Sequence, residues 1–397
     1  MQWVQGDTIH LMVARPGRLD WLHLSAIDSQ VWRPLLEEFE RLHPNVRVSV
    51  LTVSEENLAD ELRRRTARGL GPDLIFARAP AANTLLQQGL VAPVPHTPSM
   101  DRTLSEVAPT YLSRVRNGSA FSGVPVVEMV TLACYNRQTM ANPPRTTSDL
   151  IAMASAGRTI GLSVDTYGIW WTAGTQGAAG AVVPLLFGQT PKDSGLKQKD
   201  EIVIAEWLSW LRQLAGQSRV DLATGPEELT QGLISGRLDW IPCFSLTLDT
   251  LKEGMGNRLG VSVLPSGPGG NPSPFNTIQV LAFGLDSSAS QRQHSMAFAQ
   301  MAVDPVLQRR VVLLSQEVLP VNRLVQTPVA SSGVLAALKE ASQQSASVSP
   351  LFRRPFTLQR VKEVVPQLEA VIQQVMVGVL TPVEGARRIQ RFADPSP

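Results

Sequence analysis

Cysteine is scarce in this chain of 397 residues, in which only Cys134 and Cys243 occur. Two cysteines cannot build a disulfide framework or a zinc site with several thiolate ligands. Each lies in a short apolar stretch typical of a strand, so we expect two small buried thiols, with a single disulfide as the alternative. No two of the five histidines have the i, i+4 spacing that places metal ligands on one helix face. We therefore expect no metal site.

The sequence also lacks an excess of charge of either sign. Lys and Arg together number 36 and Asp and Glu 34, which gives a formal net charge of +2 and no basic surface of the kind that nucleic-acid binding requires. No apolar run approaches the ~20 residues of a membrane-spanning helix. The amino terminus shows no secretory signal, so either the protein stays inside the cell or a leader precedes the sequence given.

Catalytic motifs are missing as well. The chain contains no Gly-x-Ser-x-Gly elbow, no Walker loop and no kinase signature, each of which has a recognisable spacing. Catalytic triads are defined by geometry and not by sequence position, so this absence does not exclude an enzyme. It favours a binding function, and we expect neither a catalytic residue nor a cofactor.

Short apolar runs alternate with helical patterns along the chain, which is typical of βαβ units on a largely parallel sheet. We expect a first strand at 20–25, a helix at 31–42 that buries Leu42 among other apolar residues, and a half-buried strand at 46–53. Residues 1–18 have no assigned place in this scheme. They could form an added strand or be the remainder of a leader.

Two long stretches of β pattern, 123–136 and 277–284, lie about 140 residues apart and are long enough to pass from one lobe to another. We infer two lobes joined by at least two strands. The stretch 188–200 is polar and predicts a surface loop. The stretch 265–274 consists of Pro, Gly and Ser except for Asn271, and it predicts an exposed linker.

Several segments, taken in order, carry a resemblance to a known family. They are LLEEFERLHPNVRV (35–48), GPDLIF (71–76), QGLVAP (88–93), GVPVVE (123–128), GRLDW (236–240), LGVSVLPSGPGG (259–270) and LPVNR (319–323). Each is weak alone, but their order across about residues 20–392 resembles the extracellular solute-binding proteins that feed ABC sugar importers. The maltose- and trehalose-binding proteins are familiar members of that family.

The resemblance implies an α/β fold of the periplasmic-binding-protein type II: two doubly wound lobes, joined by crossover strands, with a ligand cleft between them. The expected boundaries place 1–124 and 277–325 in lobe 1 and 125–276 and 326–397 in lobe 2, with hinges near 124–130, 274–280 and 320–326. It also implies export to the periplasm or cell surface and a membrane permease as partner. We expect a monomer.

A sugar presents apolar C–H faces and a ring of hydroxyls, so its site needs aromatic rings together with charged or amide groups. Tyr167, Trp170 and Trp171 follow a predicted strand at 160–165. Adjacent residues cannot both face the same core, so we expect Trp170 or Trp171 to reach the cleft, with burial of both as the alternative. Phe244 stands where related proteins often carry a stacking tryptophan, and it either stacks on the sugar or packs in the core. Trp207, Trp210 and Trp240 are expected in the core.

Glu128 interrupts an apolar strand, where an unpaired buried carboxylate would cost several kcal/mol. It therefore needs either a salt-bridge partner or a ligand, and in the family the corresponding position often bonds sugar hydroxyls. The other polar candidates lie at strand ends or near the expected hinge, where a solvated charge or a structural ion pair is the alternative: Asp28, Arg78, Asp165, Asn276 and Arg323.

These features predict the substrate-binding component of an ABC importer that closes its two lobes on a small carbohydrate. Because aromatic residues make up only 6% of the chain, a mono- or disaccharide or a glycosylated polyol is favoured, such as glucosylglycerol, trehalose or sucrose. The alternatives are a non-sugar solute, such as a polyamine or an anion, and, less favoured, a two-lobed cytoplasmic enzyme. A mixture of acidic and basic candidates favours a neutral ligand.

Overall fold

The computed structural model describes residues 7–15, 33–165, 168–186, 194–345 and 358–392. The strands are β1 Asp7–Arg15, β2 Val46–Ser54, β3 Leu74–Arg78, β4 Arg116–Asn117, β5 Ala120–Phe121, β6 Val124–Met129, β7 Thr131–Asn136, β8 Ile160–Ser163, β9 Val220–Ala223, β10 Trp240–Phe244, β11 Leu259–Ser262, β12 Thr277–Phe283 and β13 Leu319–Pro320. The helices are α1 Arg33–Leu42, α2 Leu58–Thr66, α3 Ala79–Gln87, α4 Pro98–Glu106, α5 Pro109–Val115, α6 Thr147–Ser155, α7 Thr172–Thr175, α8 Ala179–Leu186, α9 Ser194–Ala215, α10 Pro226–Ile234, α11 Leu248–Met255, α12 Ala289–Val303, α13 Pro305–Ser315, α14 Gly333–Gln344, α15 Leu358–Met376 and α16 Pro382–Arg391.

The chain divides into two compact units. Unit 1 comprises Met1–Met129 and Thr277–Leu335, and unit 2 comprises Val130–Asn276 and Ala336–Pro397. The first two crossings fall at the junctions before β7 and before β12, and the third falls inside α14. None of the described helices combines the length and the hydrophobicity needed to cross a membrane.

Unit 1 is built on a six-stranded sheet in the order β13-β6-β12-β3-β1-β2. Strand β1 pairs in parallel with β2 and β3, while β12 runs antiparallel to both β3 and β6. Its central strands are buried along most of their length, as expected where helices cover both faces of a sheet.

Unit 2 repeats this arrangement on a five-stranded sheet in the order β11-β7-β10-β8-β9. Strand β8 pairs in parallel with β9 and β10, and β7 runs antiparallel to β10 and β11. Each sheet thus has three neighbouring parallel strands, called here the parallel trio. The strand next to the trio is the first one after the chain passes from the other unit, namely β12 in unit 1 and β7 in unit 2. The predicted α/β architecture is confirmed.

The segment without an assigned place in the sequence becomes the strand at the middle of the parallel trio in unit 1. Strand β1 spans Asp7–Arg15 and pairs with β2 over its whole length, so the described part of 1–18 forms the added strand. The strand expected at 20–25 lies outside the described residues. The long β stretch expected at 123–136 is two strands separated by Val130, where the chain passes from unit 1 to unit 2.

Three local predictions are wrong. In α1 the buried face contains Leu35 and Phe39, whereas Leu42 in the last turn is 52% exposed. Within the loop expected at 188–200, the residues from Ser194 onward are helical, because the residues after Gly195 contain no further breaker and several good helix formers; 188–193 lie outside the described residues.

The third is the stretch 265–274, which is not an exposed linker throughout. Its final residues, Pro272 to Pro274, are buried, and the hydroxyl of Ser273 accepts a hydrogen bond of 2.8 Å from the Gly174 backbone NH. Gly267 and Gly269 pass so close to the backbone of 175–177 that a Cβ on either would overlap it. The lack of side chains lets this segment pack tightly instead of forcing it into solvent.

The two cysteines form a disulfide, which corrects the expectation of two buried thiols. Strands β7 and β10 are antiparallel neighbours in which Cys134 lies opposite Ile241 and Cys243 opposite Leu132. Because side chains alternate along a strand, the two sulfurs lie on the same face of the sheet in diagonal positions. The Cα–Cα distance is 5.8 Å, within the range that a disulfide spans.

Candidate functional site

Ligands of open α/β sheets bind beyond the carboxyl ends of the parallel strands. In unit 1 this edge is formed by Arg15, Ser54 and Arg78, the last residues of β1, β2 and β3. Arg15 pairs with Ser54 across the β1–β2 ladder. Strand β12 begins at the same edge, where its Gln279 pairs with Arg78.

A buried ion pair joins the ends of β2 and β3. Glu55 follows β2 in a short helical turn that Ser54 caps by accepting a hydrogen bond from the Glu56 backbone NH. Arg78 directs Nε at 2.7 Å and Nη2 at 2.6 Å to the same oxygen of Glu55, Oε2. The Glu55 side chain is only 4% exposed and that of Arg78 28%.

The second oxygen of this carboxylate, Oε1, is buried and accepts no hydrogen bond from any residue that the structure describes. Arg78 was a predicted site residue, but Glu55 was not, because it lies in the segment Ser54-Glu-Glu-Asn57, which is typical of a helix start. The signal that could have found it is its position, one residue beyond the carboxyl end of a strand.

Glu128, on β6, is buried and receives a hydrogen bond of 2.7 Å from the hydroxyl of Tyr111. Tyr111 and Arg114 lie three residues apart on α5, so they share one face of that helix. Burial lowers the pKa of the Arg114 guanidinium, and the charges of Glu128 and Tyr111 oppose that shift. The partner that this buried carboxylate needs is thus supplied within unit 1, and sugar contact by Glu128 stays a prediction.

Two further polar atoms at the edge of unit 1 are buried without a hydrogen-bond partner among the described residues. They are Nε of Arg15, at the end of β1, and Oγ1 of Thr277, the first residue of β12. Neither residue was predicted. Together with Oε1 of Glu55 they provide donors and acceptors that a bound molecule with several hydroxyls could satisfy.

The corresponding edge of unit 2 carries mostly hydroxyl groups. Strand β8 ends at Ser163, and Asp165 follows it, with its Oδ1 accepting a hydrogen bond of 2.9 Å from Gly168. Phe244 ends β10 and is buried opposite Thr131, the first residue of β7. The hydroxyls of Thr131 and Ser163 are buried and have no hydrogen-bond partner within the described ranges.

Trp170 and Trp171 are both buried, each 1% exposed, so the expectation that one of them is left open to a ligand is wrong. They belong to two separate hydrophobic clusters of unit 2. Trp170 packs near Trp207, with ring centroids 6.3 Å apart, and Trp171 near Trp240, at 6.2 Å. The two adjacent rings do face different clusters, but both of these clusters belong to the core of unit 2. The core positions expected for Trp207 and Trp240 are confirmed, and Trp210 is partly buried against both clusters.

The remaining predicted residues have varied surroundings. Asn276 uses both ends of its amide inside unit 2: Oδ1 accepts from the Thr131 backbone NH at 3.0 Å, and Nδ2 donates to Ser345 at 2.7 Å. The Arg323 side chain is exposed, and its backbone NH donates to the Glu106 carbonyl. Asp28 and Tyr167 lie outside the described residues.

A cavity of about 390 Å³ in unit 1 lies away from this edge. It is lined by the middle of β1, the middle of β2 and the turn before β3, including His10 and Asp73. The Asp73 carboxylate already accepts a hydrogen bond of 2.8 Å from the His10 backbone NH. In the described ranges, no three His, Cys, Asp or Glu side chains are grouped so that they could hold a metal ion. The polar groups at the carboxyl edges are suited to hydrogen bonding with hydroxyls.

Comparison with known proteins gives a consistent picture. Residues 35–337 match the family profile described as "Bacterial extracellular solute-binding protein", whereas no curated protein matches the sequence. Among solved structures, the GacH receptor of Streptomyces glaucescens, known unliganded and with acarbose, has a TM-score of 0.75 at 17% identity over 97% of each chain.

Two other similar structures are a maltose-maltodextrin binding protein of Alicyclobacillus acidocaldarius, and a cyclo/maltodextrin-binding protein in complex with maltotetraose. The first has a TM-score of 0.71 at 17% identity and covers 98% of this chain and 100% of that one. The second has a TM-score of 0.71 at 14% identity and covers 98% and 97%. These likenesses show the two-lobed fold of maltose-binding-type periplasmic proteins.

Proposed function

Because the chain belongs to the family of bacterial extracellular solute-binding proteins, we propose that it is the substrate-binding component of an ABC importer and that it captures a small carbohydrate. It acts in the periplasm or on the cell surface and delivers the carbohydrate to membrane permease subunits. The disulfide between Cys134 and Cys243 supports this location, since such bonds persist mainly in oxidising compartments.

The charge balance at the edge of unit 1 is the observation that carries the choice of a neutral, hydroxyl-rich ligand. Glu55 is paired with Arg78, and Glu128 lies with Tyr111 and Arg114. A polyamine would need several carboxylates without cationic partners, and an anion would need arginines without acidic ones. The acarbose, maltodextrin and maltotetraose named for the similar structures support the same ligand class.

Ligand size follows from the aromatic residues. Trp170, Trp171 and Phe244 are each 1% exposed and pack in the core of unit 2, so of the two alternatives for Phe244 core packing is correct, and Tyr167 is left as the predicted stacking residue. With few rings to stack on successive sugar units, we propose a mono- or disaccharide or a glycosylated polyol. Asp28, Arg78, Glu128, Asp165, Asn276 and Arg323 remain the proposed polar contacts. Closure of the two lobes on the ligand, without making or breaking a bond, also stays a prediction.

Isothermal titration with maltose, trehalose, sucrose, glucosylglycerol and maltotetraose tests the proposal. We expect a dissociation constant near 1 μM for one of the short ligands, equivalent to about 8 kcal/mol, and weaker binding of maltotetraose. At a concentration 100 times that constant, the same sugar should stabilise the protein by about 2.7 kcal/mol in thermal melts.

Spermidine and inorganic phosphate serve as the non-sugar arms of the titration. Binding of either one, with no response to any sugar, would establish the alternative of a non-sugar solute. Recovery of the bound sugar unchanged by mass spectrometry is the expected result for a binding protein. A chemically altered sugar would instead establish the alternative of an enzyme.

A further inference from the structure

The ion pair between Glu55 and Arg78 is asymmetric. A guanidinium and a carboxylate commonly form two parallel hydrogen bonds, one to each oxygen. Here Nε and Nη2 of Arg78 both bond to Oε2, at 2.7 and 2.6 Å. Arg78 therefore fixes the carboxylate through one oxygen and leaves the other for a different partner.

That other oxygen, Oε1, is enclosed and yet accepts no hydrogen bond within the part of the chain that the structure describes. Folding strongly disfavours a buried charged oxygen without a donor. Ser54 caps the turn that Glu55 occupies, so Oε1 of Glu55 is not needed as the cap of that turn. A ligand that brings its own donor would supply the missing bond.

We propose that Oε1 of Glu55 binds a hydroxyl group of the carbohydrate and that Arg78 acts as a positioning residue for it. This inference rests on the proposed function, and it identifies in unit 1 the acceptor that distinguishes one sugar hydroxyl from a missing or inverted one. A site built to accept a hydroxyl proton discriminates strongly against an analogue without that hydroxyl, because its buried acceptor then stays unpaired.

The surroundings favour a hydroxyl over a cationic donor. Arg78 already balances the charge of Glu55, and Arg15 ends β1 opposite Ser54, the residue before Glu55. An ammonium group placed at Oε1 would therefore meet two arginines at the same edge of the sheet. A neutral hydroxyl experiences no such repulsion.

Glu55→Gln tests the inference with little change in shape. The amide oxygen of glutamine can keep the bonds to Arg78, but its NH2 group then replaces the acceptor with a donor. In isothermal titration we expect affinity for the tightest-binding sugar among maltose, trehalose, sucrose and glucosylglycerol to fall about 10- to 100-fold. Glu56→Gln, at the exposed neighbouring glutamate, is the matched control and should leave affinity unchanged.

A scan of monodeoxy derivatives of that sugar separates direct contact from a structural role. For one derivative, the affinity of the wild-type protein should be at least about 10-fold lower than its affinity for the parent sugar. Glu55→Gln should bind that derivative and the parent sugar equally well. Arg78→Lys should weaken binding by a smaller factor while keeping preference for the same hydroxyl. If Glu55→Gln folds poorly in thermal melts, Glu55→Asp replaces it: this variant retains the charge but shortens the side chain by one methylene, so the preference for the same hydroxyl should again be lost.

The outcomes distinguish the two levels of the proposal. If the wild-type protein binds none of the sugars, both the proposed function and this inference are wrong. If it binds a sugar and Glu55→Gln binds that sugar equally well, only the inference is overturned. The inference alone is also overturned if every monodeoxy derivative loses as much affinity, relative to the parent sugar, with Glu55→Gln as with the wild-type protein.

Discussion

Breaking the disulfide between Cys134 and Cys243 should destabilise unit 2 by several kcal/mol. The bond joins two neighbouring strands across a sequence separation of 109 residues, and both cysteines lie in the interior of the unit. The loop-closure model gives about 4.8 kcal/mol at 25 °C for a loop of this length, and measured values for disulfides are more often about 2–4 kcal/mol. We expect a loss of about 2–5 kcal/mol for Cys134→Ala/Cys243→Ala.

Urea unfolding followed by tryptophan fluorescence measures this loss. Trp207 and Trp240 are buried in unit 2, so their emission reports on the unit that carries the bond. With a slope of about 2 kcal/mol per molar urea, the unfolding midpoint should fall by about 1–2.5 M. Reduced wild-type protein should shift in the same direction, because the constraint on the unfolded chain is lost in both cases.

The single variant Cys134→Ala is the control for lost packing. It removes one sulfur and the bridge together, so its midpoint should lie close to that of the double variant if the bridge dominates. Coincident midpoints for oxidised wild-type protein and the double variant would refute the reasoning. Alkylation of two thiols per chain in denaturant without reductant would also refute it, because that result would show the two free thiols that we expect from the sequence alone.

Three other predictions concern local structure. Burial raises the pKa of Asp149, but hydrogen bonds from the start of α6 outweigh burial and hold this pKa below its usual value. Asp149→Asn should therefore lower the free energy of unfolding by about 1 kcal/mol at pH 7. The stability difference between the wild-type protein and Asp149→Asn should shrink in urea titrations as the pH falls below about 4, because the Asp149 carboxylate then becomes protonated and loses its stabilising charge. Gly269→Ala should lower the melting temperature because its Cβ would overlap Gly177, whereas Gly180→Ala, which has open space, should not. Trp170→Phe should also lower the melting temperature while changing the affinity for the tightest-binding sugar less than threefold, because the ring is a core residue.

Local signals predicted the helices best. The sequence predicts a helix at 289–303, and α12 spans those residues, with Ser288 and Gln291 forming a capping box at its start. Strand β1 was not identified as part of the parallel trio, because 7–15 and 20–25 are both short apolar stretches. The place of 7–15 in the sheet follows only from its pairing with β2 and β3, which are distant in sequence.

The candidate site was predicted only in part, for a related reason. Arg78 could be recognised because it ends an apolar strand before a Pro-containing helix start. Its partner Glu55 lies 23 residues earlier, and that pairing depends on the order of strands in the sheet. The two adjacent tryptophans failed for a different reason: the prediction allowed for one core, whereas unit 2 has a hydrophobic cluster in each of the two directions in which they point.

The two crossings that precede β7 and β12 place similar groups at the two carboxyl edges. Because each of these strands runs antiparallel to its neighbour in the parallel trio, its first residue lies at the end where that neighbour finishes. That first residue is Thr131 in unit 2 and Thr277 in unit 1, and both hydroxyls are buried without a partner among the described residues. The connections that divide the chain into two units therefore also deliver one buried hydroxyl to the carboxyl edge of each sheet.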